Sequence, residues 1–252
     1  MTAVKRFVSR FPAYVLIALA GLLGGVSQLG FTLFLFFGSL DLVDLGMDET
    51  GGLWFNTCLS LAFFTQHSVM IRRPYLRWLS RLVRPDYHGV LYTITSGAAL
   101  LTVVVFWQGS ATTLAAPEGP VRWLMRAVFF LSGVPCFWAV HVLNSFDAFG
   151  LQRVLHHLRG TQAPQAPFVI RGPYRWVRHP LYLVTLSVMW SCPEITLDRL
   201  LFNVLWTVWL IIGTVLEERD LTADFGDAYR RYQREVPMLI PWRIPRRSGK
   251  EL

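Results

Sequence analysis

Long apolar runs alternate with short charged ones along this chain. A helix needs roughly 20 apolar residues to cross about 30 Å of hydrocarbon, and four runs reach that length: Ala13 to Phe37, Leu53 to Ile71, Val90 to Trp107 and Trp123 to Leu143. A fifth run, Leu181 to Cys192, meets Pro193 after about 12 residues, or about 18 Å of helix, and does not span alone. A sixth, Leu200 to Leu216, follows the turn-like Ser191-Cys192-Pro193-Glu194, so the two read as a hairpin. The pattern predicts an all-α, polytopic integral membrane bundle of about five to six transmembrane segments, ending in a C-terminal hairpin and a cytoplasmic amphipathic helix. Residues 1–252 read as a single membrane domain, with a four-helix N-terminal part over 1–145 and a C-terminal part over 146–252.

Composition agrees with a bilayer as solvent: 53% of residues are hydrophobic, 16% are charged, and the mean hydropathy is +0.40. The net charge of +8 carries further information through its placement. Of 24 Lys and Arg, 21 lie before the first run, in Arg72 to Arg84, in Arg153 to Arg178, or from Arg219 onward. The intervening loops hold Asp41, Asp44, Asp48, Glu49, Glu118, Glu194 and Asp198. The positive-inside rule then places both termini in the cytoplasm; taking the source to be a bacterium, the membrane is the bacterial cytoplasmic membrane. Charge scattered between apolar runs is not the single basic face that nucleic acid requires. The first run lacks an A-x-A cleavage pattern and reads as a retained anchor. Cys58, Cys136 and Cys192 lie inside apolar runs without a CxxC, and His156-His157 point apart with no carboxylate at ligand spacing. Neither a disulfide framework nor a metal site is expected.

Candidate chemistry gathers at the basic side. In Gly172-Pro173-Tyr174-Arg175-Trp176-Val177-Arg178-His179-Pro180-Leu181-Tyr182, Pro180 suits the first position of a helix and His179 precedes it. Unpaired N–H groups at such a start can bind a carboxylate, and Tyr174, Trp176 and Tyr182 offer flat surfaces to a heteroaromatic ring. An interfacial aromatic belt beside an ordinary helix start accounts for the same residues. Glu217-Glu218-Arg219-Asp220 closes the sixth run, where the helix dipole disfavours acids. A cationic ligand, Arg178 or Arg219 would compensate them, as would an exposed ion pair. Phe225, Tyr229, Tyr232 and Val236 form one apolar face on a charged stretch from Leu221 to Val236, expected as a surface helix or lid. Gln66 and His67 near the end of the second run suit helix–helix contact. His141, Asn144 and Asp147 recur along one side of the fourth segment, either lining a pocket or ending a solvated helix.

Arg178-His179-Pro180-Leu181-Tyr182, Glu217-Glu218-Arg219 and Tyr229-Arg230-Arg231-Tyr232 together resemble the isoprenylcysteine carboxyl methyltransferase superfamily of membrane enzymes. Gln66-His67-Ser68-Val69-Met70, Phe146 to Leu151, His157-Leu158-Arg159-Gly160 and Val236 to Pro241 are similar to its bacterial methanethiol S-methyltransferase branch. The resemblance implies a methyltransferase that uses S-adenosyl-L-methionine to convert methanethiol to dimethyl sulfide. It implies cofactor binding by Tyr174, His179, Pro180, Tyr182, Glu217, Glu218 and Arg219 in a pocket open to the cytoplasm. Glu218 would take the cofactor's cationic end, and Arg178 or Arg219 its carboxylate or the acids themselves. His179, His67 and Asp147 are the candidate bases, with Arg178 beside them in the catalytic set. A small thiol and membrane lipid are the expected partners. Carboxyl methylation of an isoprenylcysteine-like or other lipid-borne acceptor is the alternative chemistry, and a non-enzymatic membrane protein linked to denitrification the alternative class.

Overall fold

The computed structural model describes residues 3–143, 147, 149–162, 168 and 170–243, with side chains from Pro12 onward. Asn144, Phe146 and Ala148, named above, lie outside the described residues. Ten helices are described: α1 (Ala3–Phe37), α2 (Glu49–Met70), α3 (Arg73–Leu79), α4 (His88–Phe106), α5 (Gly119–Leu131), α6 (Gly133–Leu143), α7 (Leu151–Arg159), α8 (Pro180–Met189), α9 (Leu197–Phe225) and α10 (Asp227–Glu235). The described strands are Thr113–Ala115 and Ile195–Thr196. The protein is an all-α polytopic membrane protein.

Four helical stretches are long and apolar enough to cross a membrane: Pro12–Phe37, Pro85–Phe106, Gly119–Leu143 and Leu197–Phe225. The second predicted run forms α2, of comparable length at 22 residues, but Asn56, Ser60, Gln66 and His67 make it more polar than those four. Its buried Asn56 and Ser60 face inward, as α2 packs along α4. The fifth run forms only the ten-residue α8, in keeping with an apolar stretch too short to cross. The fourth is divided at Ser132: Pro135 in the first turn of α6 has no N–H to continue the ladder from α5.

The chain divides into two compact units, the first comprising Met1–Leu114, Asp147–Gln165 and Thr196–Phe202, the second Ala115–Phe146, Ala166–Ile195 and Asn203–Leu252. In the first, α1 lies along α4 and α7 packs on both: Ala13 and Ala20 of α1, Val90 of α4 and Val154 of α7 are buried together, flanked by Leu16, Ile17, Ile94 and Leu151. Phe34, Trp107 and Phe202 meet edge to face, with centroids 4.9 to 5.5 Å apart. Beside them the buried Arg199 donates to the carbonyls of Phe34 (2.9 Å) and Leu35 (2.8 Å). These belong to the last turn of α1, where the Phe34 carbonyl also accepts the Gly38 N–H (2.9 Å) and the guanidinium fills acceptor capacity that the helix end leaves over. Asp198, expected at the hairpin tip, is 2% exposed; it accepts from Trp107 Nε1 (2.9 Å) and the Ser110 N–H (3.0 Å).

In the second unit, α6 packs on α8 and on the 3-10 turn Gly172–Arg175. Gly172 has φ +54, and a Cβ there would lie 2.8 Å from Val142 and 3.0 Å from Trp138 Nε1, so a side chain is excluded by both conformation and space. Two expectations about this unit are corrected. The helix begun in the sixth run does not stop at Leu216; α9 continues to Phe225. Glu217 and Glu218 therefore sit within the helix, not at its C-terminus, and the dipole argument does not apply to them. The charged stretch after them is also not one helix, because Gly226, at φ 56 and ψ −129, breaks it before α10.

Candidate functional site

Arg178, His179, Pro180, Tyr182, Glu217 and Glu218 converge in the second unit. Pro180 starts α8 and His179 is its N-cap, as the sequence predicts. Two N–H groups just before the helix are already paired. Arg178 N donates to Pro237 O (2.9 Å) and His179 N to Met238 O (3.1 Å), so the segment after α10 occupies them.

Glu218 is the most heavily hydrogen-bonded carboxylate of the site. It accepts from Arg178 Nε at Oε1 (2.5 Å) and from Arg178 Nη2 at Oε2 (3.0 Å), from His179 Nε2 at Oε1 (3.1 Å) and from Gln233 Nε2 at Oε2 (3.0 Å). The two-pronged contact uses the planar guanidinium as a fork, a geometry that lysine lacks. Arg178 Nη1 also donates to the carbonyls of Gln233 (3.0 Å) and Val236. Arg178 thus ties Glu218 on α9 to the end of α10, and the Arg178, His179 and Glu218 side chains are all nearly buried, at 9%, 7% and 11% exposed. A charge pair this far from water persists because every lobe of the carboxylate is occupied.

Glu217 differs. Its side chain is 44% exposed, it accepts from the Tyr182 hydroxyl (2.6 Å), and one oxygen lies 3.8 Å from His179 Nδ1. The imidazole is thus flanked by two carboxylates, and it stacks on Tyr182 at 5.4 Å with the rings 5° from parallel. Consecutive helical residues point about 100° apart, which explains how one carboxylate faces the interior and its neighbour a more open side.

The tyrosine face forms the floor. Tyr229, Tyr232 and Val236 are buried against Phe168, Ile170, Leu221 and Phe225, with Phe168 stacked on Phe225 at 5.1 Å. The face expected of a surface helix or lid is therefore packed into its own unit. Each such aromatic contributes roughly 2 kcal/mol by burial, enough to hold a nine-residue helix that would not persist alone. The Tyr232 hydroxyl donates to the Tyr174 carbonyl (2.6 Å), fastening α10 to the turn before the site. Burial pushes the Tyr174 phenol up to about 12, helped by the negative charge of Glu217. Tyr229 and Tyr232 are also pushed up, again chiefly by burial.

The remaining sequence candidates make other contacts. Arg219 is on α9 and exposed. Asp147 belongs to the first unit, where it accepts the N–H groups of Leu151 (2.9 Å) and Gln152 (2.8 Å) and so caps α7. His67 is also in the first unit, with the Tyr92 hydroxyl 2.7 Å from its Nε2. His141 stacks on Phe137, one turn earlier on α6. Gln233 was not singled out by sequence, and Pro237 and Met238 only as part of the Val236 to Pro241 resemblance, with no role for their carbonyls. A glutamine in a charged helix has no local pattern that marks it.

Comparison with known proteins gives a consistent set of relatives. The chain is 34% identical over 204 residues to methanethiol S-methyltransferase 1 of Bradyrhizobium diazoefficiens, covering 80% of this chain and 72% of that protein. It is 35% identical over 188 residues to methanethiol S-methyltransferase of Mycobacterium tuberculosis, covering 74% and 77%. It is 33% identical over 189 residues to nurim of Rattus norvegicus, covering 67% and 68%. No protein-family model matches the chain, and no solved structure does.

Proposed function

The chain belongs to the methanethiol S-methyltransferase family of membrane proteins, and from that premise we propose that it methylates methanethiol to dimethyl sulfide with S-adenosylmethionine as methyl donor. The observation that carries this reading is identity of 33 to 35% to methanethiol S-methyltransferases over about three quarters of the chain. The cluster around His179 supplies a site of suitable chemistry. The cofactor would bring a methyl group on a cationic sulfur, an electrophile needing no metal-type activation from the protein.

The donor set fits such a molecule. Half-exposed Glu217 is the carboxylate able to meet an ammonium or sulfonium charge, with Glu218 held behind it by Arg178 and Gln233. The stacked His179 and Tyr182 rings offer a flat wall to a purine. Arg178, with four contacts to Glu218 and backbone carbonyls, acts as a brace. Methylating a thiol requires an aligned sulfur and removal of its proton. His179 has Nε2 directed at Glu218 and Nδ1 on the side of Glu217, and is the site's group suited to hold that proton. The arginine clusters between the apolar runs support a site at the cytoplasmic face of a bacterial cytoplasmic membrane, with both termini inside.

The test uses detergent-purified protein with S-adenosylmethionine and methanethiol, following dimethyl sulfide by gas chromatography beside a lipid-borne carboxylate acceptor. Dimethyl sulfide from the wild type and little from Glu217→Gln supports the proposal. Product from the carboxylate alone moves the acceptor to the isoprenylcysteine-like class, and absence of cofactor binding removes the enzyme reading.

A further inference from the structure

The connector between α2 and α4 has a surface that methyl transfer does not use. Residues 71–84 contain Arg72, Arg73, Arg77, Arg81 and Arg84 and no carboxylate. Pro74 lies in the first turn of α3, and buried Leu79 anchors the helix from beneath. Arg73, Arg77, Arg81 and Arg84 remain exposed. So do the apolar residues between them, Trp78 at 50% and Leu82 at 68%. Arg77 and Arg81, like Trp78 and Leu82, are four apart, so cation and apolar groups alternate side by side.

A surface both cationic and apolar is poorly matched to bulk water and to hydrocarbon, and well matched to the headgroup layer between them. The connector is held at such a layer by its own chain. It leaves α2, which packs along α4, and re-enters α4, within the apolar stretch Pro85–Phe106. The next carboxylate, Asp86, lies 3.3 Å from Arg84 and 3.5 Å from His157 Nδ1, so it is committed away from Arg77 and Arg81. On the same unit, α7 packs on the turn at Pro85–Tyr87 and adds exposed Arg153 and Arg159.

We propose that this connector is a binding surface for anionic phospholipid headgroups of the surrounding leaflet. Guanidinium forks match phosphate oxygens, while Trp78 and Leu82 enter the acyl boundary beneath them. Nucleic acid would satisfy the charge and leave the exposed apolar pair unexplained.

The experiment is native mass spectrometry of the full-length, detergent-purified protein with phosphatidylglycerol and phosphatidylcholine at equal concentrations. Wild type is expected to retain phosphatidylglycerol preferentially. The Arg77→Gln/Arg81→Gln double variant should lose on the order of tenfold or more of that retention, from about fivefold for each arginine near a charged surface. Arg122→Gln, on α5, should leave it unchanged. An unaltered melting temperature in lipid-free detergent shows that the double variant is folded. Equal retention of the two lipids by wild type, or undiminished retention by the folded double variant, overturns the proposal. If the double variant does not fold, wild type decides alone: phosphatidylglycerol must raise its melting temperature more than phosphatidylcholine, and equal effects overturn the proposal. Displacement of phosphatidylglycerol by an equimolar short oligonucleotide overturns it in favour of nucleic acid.

Discussion

Arg178 Nε lies 2.5 Å from Glu218 Oε1 while its Nη2 lies 3.0 Å from Oε2, so one planar fork joins the residue before His179 to the C-terminal third of α9. The same guanidinium reaches the Gln233 carbonyl on α10. Three separate segments of the second unit therefore depend on one side chain.

Arg178→Lys keeps the charge and loses the fork. Losing one charge-assisted hydrogen bond of a buried pair costs roughly 1.5–3 kcal/mol. The variant is expected to melt well below wild type and to bind S-adenosylmethionine more weakly by calorimetry. If charge alone mattered, both measurements would match wild type.

Glu217 and Glu218 should separate experimentally. Glu217→Gln removes the half-exposed carboxylate and is expected to lower cofactor affinity roughly tenfold or more, as for loss of one charged hydrogen bond, with little change in melting temperature. Glu218→Gln should lower both. Equal effects of the two on stability would contradict the assignment of Glu218 as the braced member and Glu217 as the open one.

Gly226 sits at φ 56 and ψ −129, a region costly for any residue with a Cβ. Gly226→Ala should destabilise the protein by roughly 1–3 kcal/mol and weaken the seating of Tyr229 and Tyr232. Gly213→Ala, within α9 where nothing lies within 4 Å of an added methyl, is the matched control and should be neutral or slightly stabilising. Comparable losses at the two positions would remove the backbone argument.

Alkaline pH should loosen the tyrosine floor. Folding favours the neutral phenols of Tyr174, Tyr229 and Tyr232, whose pKa values are raised above the unfolded value of about 10. Their contribution is fully present below pH 10 and is lost as the pH rises from there through about 12 at Tyr174, and higher still at the other two. Unfolding midpoints between about pH 9 and about pH 12, from about one unit below the unfolded phenol to about two above it, should fall for wild type and fall less for Tyr229→Phe. Parallel curves would show that Tyr229 does not contribute.

The apolar runs determined the membrane class, because a stretch long enough to cross hydrocarbon is a local property of composition. The start of α8 was equally legible: Pro180 has no N–H to lose at a first helical position, and the structure begins the helix there. The pairing of Arg178 with the acids was one option visible in residue type alone. What sequence could not decide was where helices end and which distant groups meet. Hydropathy falls after Leu216, yet α9 runs on to Phe225, because its later turns are stabilised by packing of Leu221 and Phe225 under α10, not by their own polarity. Arg199 offered no signal, since the carbonyls it satisfies are 164 and 165 residues away at the end of α1. Asp198 read as a loop acid and is buried against Trp107 for the same reason. Gln233 reaches Glu218 only because Gly226 turns α10 back upon α9. Local periodicity is written in neighbouring residues, whereas these contacts join groups far apart in the chain, and only the tertiary structure brings them within reach.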